Sequence, residues 1–349
     1  MQQFRIPDRR IIHLAAGFLI TLMAVRLLLT LPSTGMVTDE FAHIPAAYLY
    51  VKQLRLEVNA AHPPLIKYLA GLPLLLLNPP LPNTDPLVEG FAYDSEFLYG
   101  LRERARQVIT LARIPMILVG CLLGFVLYTW AIEMFGPAGG LFSLSLFVFE
   151  PNILAHSRFV LTDVGAALAY TTFWYSAWRW IKTPSARKSL IVSGVAGLAL
   201  LVKHSMIILP FCWLLILWLM VVRRGVAVRR GLQQTVLGIV LILLMLNAGY
   251  CFQSKRFDST DLKVVAGWFG LNTDNSPING LLNRFSPLPV PSTYIRGLDV
   301  VVNQNRSGHP AYLMGMYSTM GWWYYFPVAA LVKVPLAMLV VFAIALIWL

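Results

Sequence analysis

Charge is scarce in this 349-residue chain: Asp, Glu, Lys and Arg together make up 13% of it, where a soluble domain carries roughly a quarter. Apolar side chains reach 58% and mean hydropathy is +0.67, which excludes a soluble globular enzyme. Acids are the scarcest charges, 16 against 28 Lys and Arg, for a net +12. No basic stripe alternates with exposed aromatics, so nucleic acid is not the partner this charge points to. It marks membrane topology and a phosphate-bearing ligand instead. Cysteine is nearly absent: Cys121 and Cys212 sit inside apolar runs and Cys251 stands apart, which excludes a disulfide framework and any CxxC or Cys/His metal spacing. HExxH is missing too, so a zinc protease has little support. There is no internal repeat and no low-complexity tract.

What is present is a series of long apolar runs. The first, Ile11 to about Leu31, follows Arg5, Arg9 and Arg10; it is too long for a signal peptide, lacks a small-residue cleavage site, and reads as a helix with a cytoplasmic N-terminus. Others lie at about Val108 to Trp130, Ala138 to Leu154, Val164 to Ile181, Ser189 to Val202, Met206 to Val222, Thr235 to Tyr250 and Val334 to Leu349. The expected fold is therefore all-α, a polytopic transmembrane bundle of about eight spans forming one domain over 1–349. Basic residues at Arg179, Lys182, Arg187 and Lys188, and at Arg223, Arg224, Arg229 and Arg230, assign those short loops to the cytoplasm. Segments 32–107 and 251–333 then fall outside as two extracytoplasmic loops. The first holds a helical stretch, Glu40 to Leu54, and a Pro-bounded apolar stretch, Leu65 to Leu77, too short to span; both are expected as interfacial or re-entrant helices. The second ends in an aromatic patch, Trp322 to Phe326, suited to a membrane interface.

Four polar signals fall on that outer side. Thr38-Asp39-Glu40-Phe41-Ala42-His43 follows the first run; on a helix Asp39 and His43 share a face, and the plainer alternative is that Thr38 or Asp39 is a helix cap. In His62-Pro63-Pro64-Leu65 two prolines fix the backbone, which either marks a loop boundary or holds His62 in place. Glu150 to Asp163 interrupts two apolar runs and carries His156, Arg158 and Asp163. Ionisable groups there are costly unless paired or facing water, so Arg158 and Asp163 either form an ion pair closing the turn or belong to a site. Lys203-His204 cuts a long apolar stretch; Lys203, like Lys333 before the last run, either snorkels or offers its ammonium to a phosphate. Their common side suggests one shared cavity.

The ordered set resembles the GT-C superfamily of polytopic glycosyltransferases that use lipid-phosphate sugars, above all its protein O-mannosyltransferase and aminoarabinose transferase branch and the bacterial phospholipid carrier-dependent glycosyltransferases. The resemblance is carried by the acidic pair Asp39-Glu40, the HPPL of His62 to Leu65, the P-N-x-L-A-H-S-x-x-x-x-T-D run from Pro151 to Asp163, the interrupting Lys203, and Lys333-Val334-Pro335 after the aromatic segment. It implies a sugar on a polyprenyl phosphate, its tail in the bilayer, attacked with inversion by a hydroxyl of a protein, lipid or glycan acceptor. Asp39 is then the general base, with Glu40 and Asp163 the other catalytic carboxylates. Lys203, Arg158 and Lys333 bind the donor phosphate, and His43, His62, His156 and His204 contact the acceptor or orient it. The expected location is a bacterial inner membrane with the active site outside. Relatives differ in metal use; the residues assign no cofactor and leave a divalent metal open. Relatives also extend further, so C-terminal helices are expected to be missing here. The competing class is a transporter or flippase of a lipid-linked or anionic substrate.

Overall fold

The computed structural model describes residues 9–224, 226–253, 259–268, 290–308 and 310–347. Helix α1 (Arg9–Thr30) runs into a 3-10 turn at Leu31–Ser33, and α2 (Thr38–Gln53) follows. Short helices α3 (Leu65–Gly71), α4 (Leu74–Leu77), α5 (Pro86–Glu89) and α6 (Phe91–Gly100) lead to the long α7 (Arg104–Phe149). Then come α8 (Pro151–His156), α9 (Asp163–Lys182), α10 (Ala186–Leu200), α11 (Ile208–Arg224) and α12 (Val228–Gly249). Beyond these lie α13 (Ser259–Trp268), α14 (Ser292–Ser307), a small antiparallel hairpin of β1 (Ala311–Leu313) and β2 (Met316–Ser318), α15 (Tyr325–Lys333) and α16 (Leu336–Ile347).

Helix α7 holds 46 residues, twice what a bilayer needs, and it does not run straight. At Gly136 the backbone leaves the helix, with φ 77° and ψ 179°, and Pro137 follows. Only glycine adopts that geometry freely, and proline cannot continue the hydrogen bonding of the preceding turn. The chain folds back on itself there. A Cβ on Gly124 would stand 2.9 Å from the Phe147 ring, and one on Gly120 would stand 2.6 Å from the Ser157 hydroxyl. The runs that hydropathy separates at Trp130 and Ala138 are the two arms of this hairpin.

Among the described residues four helices are long and apolar enough to cross a membrane, Arg9–Ser33 (α1 with its 3-10 turn), Arg104–Phe149, His204–Arg223 and Val228–Gly249, or five if α15 and α16 form one broken span. That is fewer than the eight expected, for identifiable reasons. The two arms of α7 form one continuous assignment; α9 carries Asp163, Arg179 and Lys182; and α10, with 15 residues, is short. The last expected span begins only after a 115° bend between α15 and α16, where Pro335 lacks the donor to continue α15.

Large apolar side chains on the outer faces, among them Phe18, Leu29, Phe125, Phe211, Trp218 and Leu244, are exposed as lipid-facing residues would be. Inside are two cores. One joins α1 to the α7 hairpin through Met23, Leu27, Leu123, Leu144 and Phe147; the other joins α2 and α3 to α9 to α12 around Trp180 and Trp213. Helix α2, expected as an interfacial or re-entrant helix, is part of this second core, since every residue from Ile44 to Tyr50 is buried. A helix apolar around its whole circumference packs inside rather than along a surface.

Gly124→Val should wedge the arms of the α7 hairpin apart. We expect a loss of about 1 to 3 kcal/mol, read as a lower Tm of the detergent-solubilised chain, while Gly17→Val on the open face of α1 should leave Tm nearly unchanged.

Candidate active site

The two acids after α1 have opposite environments. Glu40 and Arg113 are fully buried and joined in a fork, Nε to Oε1 at 2.8 Å and Nη2 to Oε2 at 2.5 Å. Glu40 also accepts the backbone N–H of Val160 (2.9 Å) and of Val37 (3.2 Å). Arg113 spends its remaining donors on the carbonyls of Thr34 (3.0 Å) and Gly35 (2.9 Å). One pair thus ties together α7, the start of α2, the turn after α1 and the segment before α9. Every oxygen of Glu40 is engaged. Asp39, by contrast, is exposed and caps nothing: α2 begins after Val37, with no side-chain cap, and the N–H of Val37 is taken by Glu40.

Asp39 opens into a cavity of about 990 Å³ lined also by His43, His62, Asp94, Tyr99 and Gln304. His43 lies one turn along α2 from Asp39, and its Nδ1 is 2.9 Å from the carbonyl of Val160. That bond requires the proton on Nδ1, leaving Nε2 as an acceptor. The His62 ring stands edge-on to His43 with centroids 4.8 Å apart. Burial raises the Asp94 carboxyl to about 7. From the far side α14 supplies Val300 and Gln304. A Cβ on its Gly297 would overlap the carbonyl of Ala60 and stand 2.8 Å from His204 Nε2, so glycine is what allows this approach.

The loop carrying His62 is held from below by Lys67. Its side chain is buried and donates to the carbonyl of Asn59, to the carbonyl of His62 (3.1 Å) and to the Tyr50 hydroxyl (3.1 Å), and it lies 4.7 Å from the Tyr50 ring centroid. No carboxylate is in contact with it among the described residues, and burial pushes its ammonium well down from the ordinary lysine range. Leu65 N–H binds the carbonyl of Leu201 (2.9 Å), fixing the two prolines against the end of α10.

Of the two alternatives for Arg158 and Asp163, the ion pair between them does not form. Lys203 Nζ lies 2.7 Å from Asp163 Oδ1, with both side chains partly open to water. His62 and His156 both bear electrostatically on Asp163. Arg158 turns the other way, to the hydroxyls of Thr30 (3.1 Å) and Thr34 (3.3 Å), and its Nε is buried without a partner among the described residues. His204 packs on Tyr294 at 4.8 Å, with Nε2 at 3.4 Å from the carbonyl of Ala60. Lys333 meets this region through its backbone carbonyl, which accepts from Asn152 at 2.9 Å; its side chain is exposed. Of the residues expected to share a cavity, Asp39, His43 and His62 do, while Lys203, Asp163 and His156 form an adjoining cluster reached through His62. Among the described residues no group of three or more His, Cys, Asp or Glu is placed to hold a metal ion.

Sequence reasoning passed over Arg113, Lys67 and Asp94. The signal for the first two was an ionisable residue inside an apolar stretch, which by cost alone needs a partner or a purpose.

Residues 105–250 match the family described as dolichyl-phosphate-mannose-protein mannosyltransferase, and this match supports a membrane glycosyltransferase of the GT-C kind. The matched stretch takes in Arg113, Arg158, Asp163 and Lys203 and leaves Asp39, Glu40 and His62 outside it. No curated protein and no solved structure matches the chain.

Glu40→Ala would strand Arg113 in a dry interior, a loss of about 3 to 5 kcal/mol, to be read as a large drop in Tm. Acid should also destabilise the fold. Burial first, with the neighbouring His43, Lys67 and Lys203 adding to it, holds His62 down to about 3. An unfolded imidazole binds its proton near 6.5, so below that pH the unfolded state takes up protons that the folded state refuses. Stability is therefore full above about pH 6.5 and falls progressively toward pH 4. Tm measured across this window should decline, and His62→Gln should flatten the decline.

Proposed function

We propose that this chain moves a sugar from a polyprenyl-phosphate donor to a hydroxyl acceptor on the extracytoplasmic face of a bacterial inner membrane, with inversion and with Asp39 as the general base. The observation that carries the reading is the division of labour in the acidic pair. Glu40 has no free oxygen, whereas Asp39, one residue away, keeps its carboxylate in a cavity within the range of small-molecule sites.

In this reading the acceptor oxygen attacks the anomeric carbon as its proton passes to an Asp39 oxygen. The new C–O bond forms while the bond from the anomeric carbon to the phosphate oxygen breaks, and that electron pair leaves with the phosphate. A phosphate needs no proton to depart, so cations replace the general acid of a glycoside hydrolase. Lys203 supplies one by exchanging Asp163 for the phosphate, and Arg158, which faces hydroxyls rather than a carboxylate, supplies another. Glu40 acts here by positioning α2, not as a proton carrier. Asp163, His62 and His156 hold Lys203 and the acceptor side in register, and His43 offers Nε2 to the acceptor.

Asp39→Asn should lower turnover by about two to four orders of magnitude with unchanged Tm and unchanged donor affinity; wild-type turnover would refute the assignment. Lys203→Ala should weaken polyprenyl-phosphate binding. Because its partner Asp163 is half in water, the lost ion pair itself should cost only about 0 to 1 kcal/mol. Affinity, not Tm, is therefore the decisive measurement, and unchanged affinity would return Lys203 to a structural role.

A further inference from the structure

A second cleft, of about 590 Å³, lies between α9 and α10 at the end of both helices remote from Asp163 and Lys203. On α9 it is lined by Thr172, Ser176 and Arg179, one helical face, and on α10 by Lys188, Ile191 and Val195, another. Its polarity is graded. The mouth, at the connection between the helices, carries Arg179, Ser185, Arg187 and Lys188; one and two turns deeper along α10 it is bordered by Ile191 and Val195. The 20 residues of α9 span roughly 30 Å, so this mouth and the end of the two helices that carries Asp163 and Lys203 lie about one hydrocarbon thickness apart.

Aromatic residues mark an interface at the mouth. Trp130 stacks on Tyr175 at 5.9 Å, Trp178 lies 6.4 Å from Tyr175, and Lys182 sits 3.7 Å over the Trp178 ring. The charge there is one-sided. Glu133 accepts from Tyr175 at 2.5 Å and faces Arg179 at 3.7 Å, while Lys188 donates to neutral oxygens, the carbonyl of Arg179 and the hydroxyl of Thr183. Arg187 is exposed and has no carboxylate partner among the described residues.

We propose that this cleft holds one anionic glycerophospholipid of the adjacent leaflet, its phosphate between Arg187 and Lys188 and an acyl chain along Ile191 and Val195. The cations call for an anion, the hydroxyl of Ser185, which accepts from the Lys188 N–H and keeps its own proton to donate, for a further acceptor oxygen, and the apolar lining for an attached chain, which free phosphate lacks. Such a lipid would clasp α9 and α10 together at one end while their other ends carry Asp163 and Lys203. The inference does not depend on which reaction the catalytic cavity performs.

The test uses the full chain purified in neutral detergent, with lipid retention followed by native mass spectrometry and Tm followed in parallel. Dioleoylphosphatidylglycerol should be retained and should raise Tm, and dioleoylphosphatidylcholine should do neither. Arg187→Gln should weaken retention about fivefold, the effect of one cation at an anionic surface. Ile191→Trp, which fills the groove without altering charge, should weaken it as well, and it keeps the test open if the arginine variant folds poorly. Arg230→Gln, in the other basic loop, should leave it unchanged. Equal retention of both lipids, equal stabilisation by inorganic phosphate alone, or an equal loss in Arg230→Gln would overturn the proposal.

Discussion

The buried pair of Glu40 and Arg113 is the constraint on which the rest of the site depends. Burying two charges is unfavourable unless their donors and acceptors are matched, and here both carboxylate oxygens and all three guanidinium nitrogens are engaged: a two-point fork, two backbone N–H groups and two carbonyls. Because those partners come from four separate segments, the electrostatic requirement of one pair fixes where α2 begins, how the turn after α1 closes and where the segment before α9 lies. Asp39 owes its freedom to this arrangement. The capping that a first-turn acid often performs is done by Glu40, so its neighbour is released to the cavity.

A similar economy governs the cations. Arg113 and Lys67 are both buried, yet they differ in kind. The guanidinium is paired with a carboxylate, whereas the lysine is surrounded by neutral oxygens and an aromatic face, an environment that favours its uncharged form. Lys203 and Arg158 stay nearer water or hydroxyls, where a charge is retained at lower cost. The gradient from saturated to available cations runs from the interior toward the cavity side.

Much of the architecture was legible in the amino-acid pattern. Long apolar runs located the membrane helices, and the break between Trp130 and Ala138 appears as the Gly136 turn. Asp39 and His43 share a helical face as their spacing of four required. The pattern failed where a decision was tertiary. Periodicity could not tell that α2 is buried on all sides, because burial depends on what packs against it. It could not choose the partner of Asp163, since Arg158 is five residues away in sequence and Lys203 forty, and it is the meeting of the ends of α9 and α10 that selects the latter. Arg113 and Lys67 were masked by their apolar neighbours. The span count failed because α9 and α10 gain by packing against each other and tolerate more polarity or less length than an isolated span.

Val160 has a place in this structure out of proportion to its side chain. Its N–H binds Glu40 and its carbonyl binds His43 Nδ1, so one residue's backbone touches both the anchor and the cavity wall. The short segment that contains it also carries Arg158 and ends at Asp163. Movement of that segment cannot be absorbed locally: pulled toward a ligand on its cationic side, it must drag α2 with it or break two bonds at once. The segment is therefore geared to α2 through a pivot made of main chain, and side-chain identity at 160 matters far less than the position of the peptide units around it.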